Sequence, residues 1–123
     1  GPRPLMGIQT AGFPNLFTIN QAGAGNFTRG CEPLVEWVTD CIDYMRENEF
    51  TRISASPQAE EEWTKYVAEA SANLLRTKAN SWFVGANIPG KARVLLGSPD
   101  SAPVMRTKRA EAAAHGYDGF LLQ

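Results

Sequence analysis

The chain has 123 residues, of which 43% are hydrophobic and 20% charged. That is enough for one domain, or a piece of one, which buries roughly two-thirds of its unfolded surface. A net charge of −1 provides no basic field for binding nucleic acid without sequence preference. No apolar stretch approaches the roughly 20 residues that a membrane-spanning helix needs, and no charged start with an apolar core points to secretion.

Residues 1–4, G-P-R-P, read as a flexible leader, and Leu5 to Thr10 as a short strand. Ala11 to Asn15 is a turn, with Pro14 fixing one backbone angle and Asn15 tolerating a tight bend. Leu16-Phe17-Thr18-Ile19 is β-branched and aromatic and predicts a strand. Residues 20–30, N-Q-A-G-A-G-N-F-T-R-G, form a Gly-rich loop ahead of a helix. There backbone N–H groups could meet a phosphate, although most such loops are only turns. By itself Gly23-Ala24-Gly25 is a weak signal and not the G-x-G-x-x-G pattern.

The spacing predicts a helix from about Pro33 to Asn48, with Pro33 at its first position. Leu34, Trp37, Val38, Cys41, Ile42 and Met45 make its apolar stripe. Asp40 and Asp43 fall on the solvated side, with no partner placed to perturb them. Cys31 and Cys41 are ten residues apart, about 15 Å along a helix axis, which is beyond disulfide reach. Free thiols in a reducing cytoplasm follow. A single His and no C-x-x-C leave no metal site.

Thr51 to Ser54 predicts a short linking strand. Ser56 caps a second helix with Pro57 at its first position, and Glu60, Glu61 and Glu62 lie near the positive end of its dipole. Trp63, Val67, Ala70 and Leu74 are its expected inner face. Residues 81–93, S-W-F-V-G-A-N-I-P-G-K-A-R, read as a loop punctuated by Gly85, Pro89 and Gly90. Trp82 and Phe83 side by side, followed by Lys91 and Arg93, suit a segment that closes over something flat and anionic. On spacing alone, Trp82 filling a structural gap is the plainer expectation. Arg93 to Leu96 predicts a strand, residues 104–115 an Ala-rich helix stopped at Gly116, and the last residues a short apolar strand. His115 is a helix-end residue, with no nucleophile placed beside it. The fold expected is α+β, about three helices with short strands.

Four runs carry a resemblance that spans nearly the whole chain: A-G-F-P-N-L-F-T-I at 11–19, V-E-W-V-T-D-C-I-D-Y-M at 35–45, S-W-F-V-G-A-N-I-P-G-K at 81–91 and G-Y-D-G-F at 116–120. Together they resemble the C-terminal region of flavin-dependent Baeyer–Villiger monooxygenases. The resemblance implies that residues 1–50 are the tail of an FAD-binding domain. Residues 51–123 are then a C-terminal helical region with a loop that folds over NADP(H), the two together forming one folding unit. It assigns Trp82 and Lys91 to that cover, and Gly23, Gly25 and Asn26 to the flavin side, although the loop is shorter than the family's usual one. The two dinucleotide fingerprints such enzymes need are not in this sequence, so no residue is assigned as catalytic. The implied activity is ketone oxidation to an ester or lactone, with FAD and NADPH held by a full-length parent. The implied partners are the missing N-terminal FAD and NADP domains or a second copy of the chain. The alternative is a small non-catalytic module that self-associates or binds a partner.

Overall fold

The computed structural model describes residues 3–19, 27–95 and 97–123. Its elements, in chain order, are α1 (Phe27–Glu47), β1 (Ile53–Ala55), α2 (Pro57–Ser71), α3 (Leu75–Lys78), α4 (Ala102–Ala114) and β2 (Phe120–Leu122), with a short 3-10 turn at Trp82–Val84 before α4. Three substantial helices and one antiparallel pair of strands make this an α+β fold, as expected.

The strands join parts of the chain that are far apart in sequence. Ile53 pairs with Leu122, Ser54 with Leu121 and Ala55 with Phe120. Ile53, Ala55 and Phe120 are buried, whereas Leu121 faces outward, the alternation a half-covered sheet imposes. Beneath them α1 supplies Leu34, Trp37, Cys41 and Met45 to the core. Trp37 lies there edge-on to Tyr117, with centroids 5.1 Å apart. Its Nε1 donates to the Arg109 carbonyl at 2.9 Å, which ties α1 to α4.

Several expectations are corrected. Pro4 is buried rather than part of a free leader. Residues 5–10 make a tight reversal instead of a strand: Met6 and Gly7 take positive φ, 49° and 74°, and Leu5 N donates back to the Gln9 carbonyl at 2.8 Å. Residues 16–19 are not a strand either, because among the described residues no neighbouring strand offers them a ladder, and β preference acts mainly through such neighbours. Thr18 N instead donates to the Ile8 carbonyl at 2.7 Å, and its Oγ1 bonds the carbonyls of Gly7 and Ile8. α1 starts at Phe27, so Pro33 lies inside it. A proline there costs one intrahelical bond, which the buried stripe that follows it outweighs.

In the second helix Ser56 is the N-cap, accepting from Ala59 N, and Pro57 opens the helix. Its inner face differs from the expectation: Val67 and Ser71 are buried, Ala70 is exposed, and Leu74 lies beyond the helix end. Residues 93–95 carry no strand. Leu95 joins Val67 and Val84 in a second, smaller apolar cluster, so its side chain is buried without a strand partner for its backbone. The last helix begins two residues early, at Ala102. As expected, His115 is its C-cap and Gly116 follows with φ 70°.

Candidate functional site

Residues 81–93 are more ordered than a plain loop. Ser81 caps a single 3-10 turn, its Oγ accepting from Phe83 N at 3.3 Å. Its carbonyl accepts from Val84 N at 3.1 Å and Ala86 N at 3.2 Å. Val84 is buried against Val67 and Leu95, and that anchor turns its two predecessors outward. Gly85 closes the turn at φ 71°, a conformation that only glycine adopts freely. The Arg93 guanidinium donates through Nη2 to Asn80 Oδ1, closing the loop at its base.

The outcome for Trp82 is decisive. It fills no gap: it is 60% exposed and Phe83 42% exposed. The rings stack on each other, with centroids 4.0 Å apart and planes 21° apart. Two large rings thus stand bared together on an otherwise anchored turn. Lys91 lies at the far end, half-buried, with its Cδ in the space a Gly85 Cβ would press at 3.3 Å. Among the described residues neither Lys91 nor Arg93 has an ion-pair partner. The arrangement can stack on a planar group and offer positive charge beside it. It contains no nucleophile and no acid–base pair.

The rings and the cation make one exposed face and not an enclosed site. Two clefts lie between α2 and α4. One of about 30 Å³ lies among Trp63, Val67, Leu95 and Met105, and one of about 610 Å³ beside Trp63, Tyr66, Lys108 and Glu111. Trp82, Phe83 and Lys91 line neither of them. Gly23, Gly25 and Asn26 lie outside the described residues. Among the described residues no group of three His, Cys, Asp or Glu could hold a metal ion, and no helix is long and apolar enough to cross a membrane.

The structure also brings together groups that spacing did not connect. Lys108 Nζ is 2.7 Å from Asp100 Oδ2, Tyr66 Oη donates to Asp100 Oδ1 at 2.6 Å, and the ammonium lies 3.8 Å from the Tyr66 ring centroid. Burial alone raises the Asp100 carboxyl, but the hydrogen bonds from Lys108 and Tyr66, with the Lys108 charge, outweigh it and hold it below its usual range. Arg109 is 5% exposed, its Nη1 lacks a partner, and burial, aided by the Arg106 charge, lowers its pKa. Nothing local in the sequence distinguishes Arg109 from its exposed neighbour Arg106. Glu60, expected as a helix-start charge, also accepts from Ala11 N at 2.6 Å and holds the N-terminal turn. Both cysteines are free, as expected, and burial pushes the Cys41 thiol up to about 11. His115 is a helix-end residue with Nδ1 2.7 Å from the Glu111 carbonyl.

No protein-family model matches the chain. Individual proteins do, along its whole length. Cyclopentanone 1,2-monooxygenase of Comamonas sp. is 37% identical over 99% of this chain. The structure of cyclohexanone monooxygenase from Rhodococcus sp. Phi1 bound to NADP+ superposes with a TM-score of 0.90 at 35% identity, again over 99%. That of OTEMO in complex with FAD and NADP gives 0.84 at 32% identity over 100%. The chain therefore matches the C-terminal region of Baeyer–Villiger monooxygenases. It spans only 23–24% of the length of these relatives.

Proposed function

We propose that this chain is the C-terminal part of an FAD- and NADPH-dependent Baeyer–Villiger monooxygenase, in which residues 81–93 cover the nicotinamide cofactor. Residues 1–50 then complete the FAD-binding domain, residues 51–123 form the cover and the terminal strand, and both pack on FAD and NADP domains supplied by the rest of a longer polypeptide. When bound, the cofactors supply the redox chemistry that inserts one oxygen atom of O2 into a ketone. The part of this chain is to bind, orient and exclude water. Trp82 and Phe83 provide a flat apolar lid, Lys91 a cation for a phosphate, and the anchored 3-10 turn a fixed root from which the lid closes. Two free thiols accord with a cytoplasmic setting.

The observation that carries this reading is the stacked, exposed Trp82–Phe83 pair in a chain whose full length matches enzymes of this kind. By itself the chain is expected to be colourless and to leave NADPH unoxidised in the presence of a ketone. A yellow sample that turns over would sink the proposal. In a full-length parent, Trp82→Ala is expected to weaken NADP(H) binding about tenfold, the loss of one ring–base stack. Unchanged affinity in a titration would remove Trp82 from the cover.

A further inference from the structure

Helix α4 buries Met105, Arg109 and Ala112, so a guanidinium lies on the same inner face as two apolar side chains. Arg109 is only 5% exposed. Among the described residues its side chain makes no hydrogen bond and no ion pair. An arginine does not shed its charge in a protein, and a buried charge is costly unless it is paired. Nor can this turn of the helix easily rotate outward. The Trp37 indole holds the Arg109 carbonyl at 2.9 Å, which fixes α4 against α1 at this residue. The chain has no carboxylate placed to answer the charge. All 13 Asp and Glu residues lie among the described ones, and residues 1–2, 20–26 and 96 include none. The nearest in sequence, Glu111, is exposed and two residues away, a spacing that does not share a helix face. On α1, Glu32, Glu36, Asp40 and Asp43 are exposed while Leu34, Trp37 and Cys41 are buried. The charge that acts on Arg109 is that of Arg106, which has the same sign.

We infer that Arg109 receives a carboxylate from outside this chain, an Asp or Glu side chain carried by the remaining part of a longer parent. The inference rests on the reading of the chain as a C-terminal part, which spans 23% of the length of its Comamonas relative. A side chain fits better than a dissolved anion. Packing of one part of a polypeptide on another delivers a carboxylate already oriented, whereas a free anion has to give up its own hydration to reach an Nη1 out of contact with water. The planar fork of the guanidinium matches a carboxylate through two parallel hydrogen bonds. Such a pair specifies how the two parts dock more than how tightly they hold. Arg109 is thus a positioning residue, set on the helix that Trp37 ties to α1.

The test is thermal unfolding of Arg109→Met, which roughly keeps the volume and removes the charge, in two settings. In the 123-residue chain the substitution is expected to raise the midpoint by about 5 °C, because an unpaired charge leaves the interior. In a full-length parent it is expected to lower the midpoint, because the incoming carboxylate then loses its partner. A midpoint that falls or stays put in the isolated chain overturns the proposal, since water or a turned-out side chain then already relieves Arg109. A rise in both settings overturns it as well, because no outside carboxylate arrives. Sodium phosphate or acetate that raises the wild-type midpoint at constant ionic strength, and leaves that of Arg109→Met unchanged, gives the site to a dissolved anion and overturns it too. The underlying reading is checked separately, by the intact mass and flavin content of the source polypeptide. A large, yellow parent with a rise in both settings sinks this inference alone. A source polypeptide of about the mass of this chain, 13.4 kDa, removes the C-terminal reading and the inference with it.

Discussion

Trp37 and Trp82 show how differently one residue type is used in this molecule. Trp37 is 8% exposed, makes ring contacts with Tyr117 and Phe120 and spends its only polar group on the Arg109 carbonyl. Replacing it with alanine removes a core ring and the hydrogen bond that ties α1 to α4, at an expected cost of about 3–5 kcal/mol. Trp82 stacks on Phe83 alone, with most of its surface bare, so Trp82→Ala should change stability by no more than about 0.5 kcal/mol. Urea unfolding of both variants checks the contrast. Equal destabilisation would mean that the 3-10 turn is part of the core and not a surface kept for another molecule.

Among the elements, the least regular segment does the most to hold the sheet. Asn15, at φ 60°, stands where a third strand would lie. Its backbone N–H donates to the Ile53 carbonyl at 2.9 Å, its Oδ1 accepts from Ile53 N at 2.9 Å, and its Nδ2 donates to the Thr51 carbonyl at 3.1 Å. With Gln9 Nε2, which donates to the same Ile53 carbonyl at 3.1 Å, this residue closes the outer edge of β1, which otherwise presents unpaired groups. Asn15→Gly keeps the left-handed backbone accessible and loses the side-chain bonds, for an expected 1–2 kcal/mol or about that. Asn15→Ala adds backbone strain and should cost about 1 kcal/mol more. Thermal unfolding of the pair separates the two contributions, and equal losses would show that the φ angle carries no cost.

The same stretch shows what could be read from residues and what could not. The bend at Asn15 was legible because a short amide side chain tolerates it, and the second helix because Ser56 and Pro57 mark a start in any context. The strand expected at residues 16–19 was wrong for the converse reason: such preferences need a neighbour, and the neighbours on this chain are β1 and β2, each only three residues long. The start of α1 was misplaced because a proline usually opens a helix, and the buried stripe that lets the helix continue past Pro33 lies downstream of it. For the site, the aromatic pair and the cations were visible in one short run. The exposure of Trp82 was not, since it depends on Val84 being drawn inward by Val67 and Leu95, and neither belongs to the motif. Arg109 was invisible for the same kind of reason, because its burial comes from the packing of α4 on α1.

At the scale of the whole molecule, acid is expected to act through Asp100. Its folded pKa is held below the ordinary 3.8, so the unfolded chain takes up that proton at higher pH than the folded one. The carboxylate therefore contributes stability that is complete well above pH 3.8 and is lost as pH falls through the lower folded value. In denaturant titrations the wild type should lose stability between about pH 5 and 2, and Asp100→Asn should flatten that part of the profile. An unaltered profile would assign the acid sensitivity elsewhere. At the other end of the scale, the Cys41 thiol titrates near 11 instead of its ordinary 9.0, so the folded state holds that proton longer and stability falls as pH rises above 9.

The apolar interior is divided unequally. A large cluster gathers α1, α4 and both strands, whereas Val67, Val84 and Leu95 form a cluster of three buried residues under the 81–93 segment. Trp63 packs against both. Regions with few buried contacts open at lower free energy than the body they are attached to. The amides around Val84 can therefore exchange with solvent through an excursion that leaves the sheet and α1 intact.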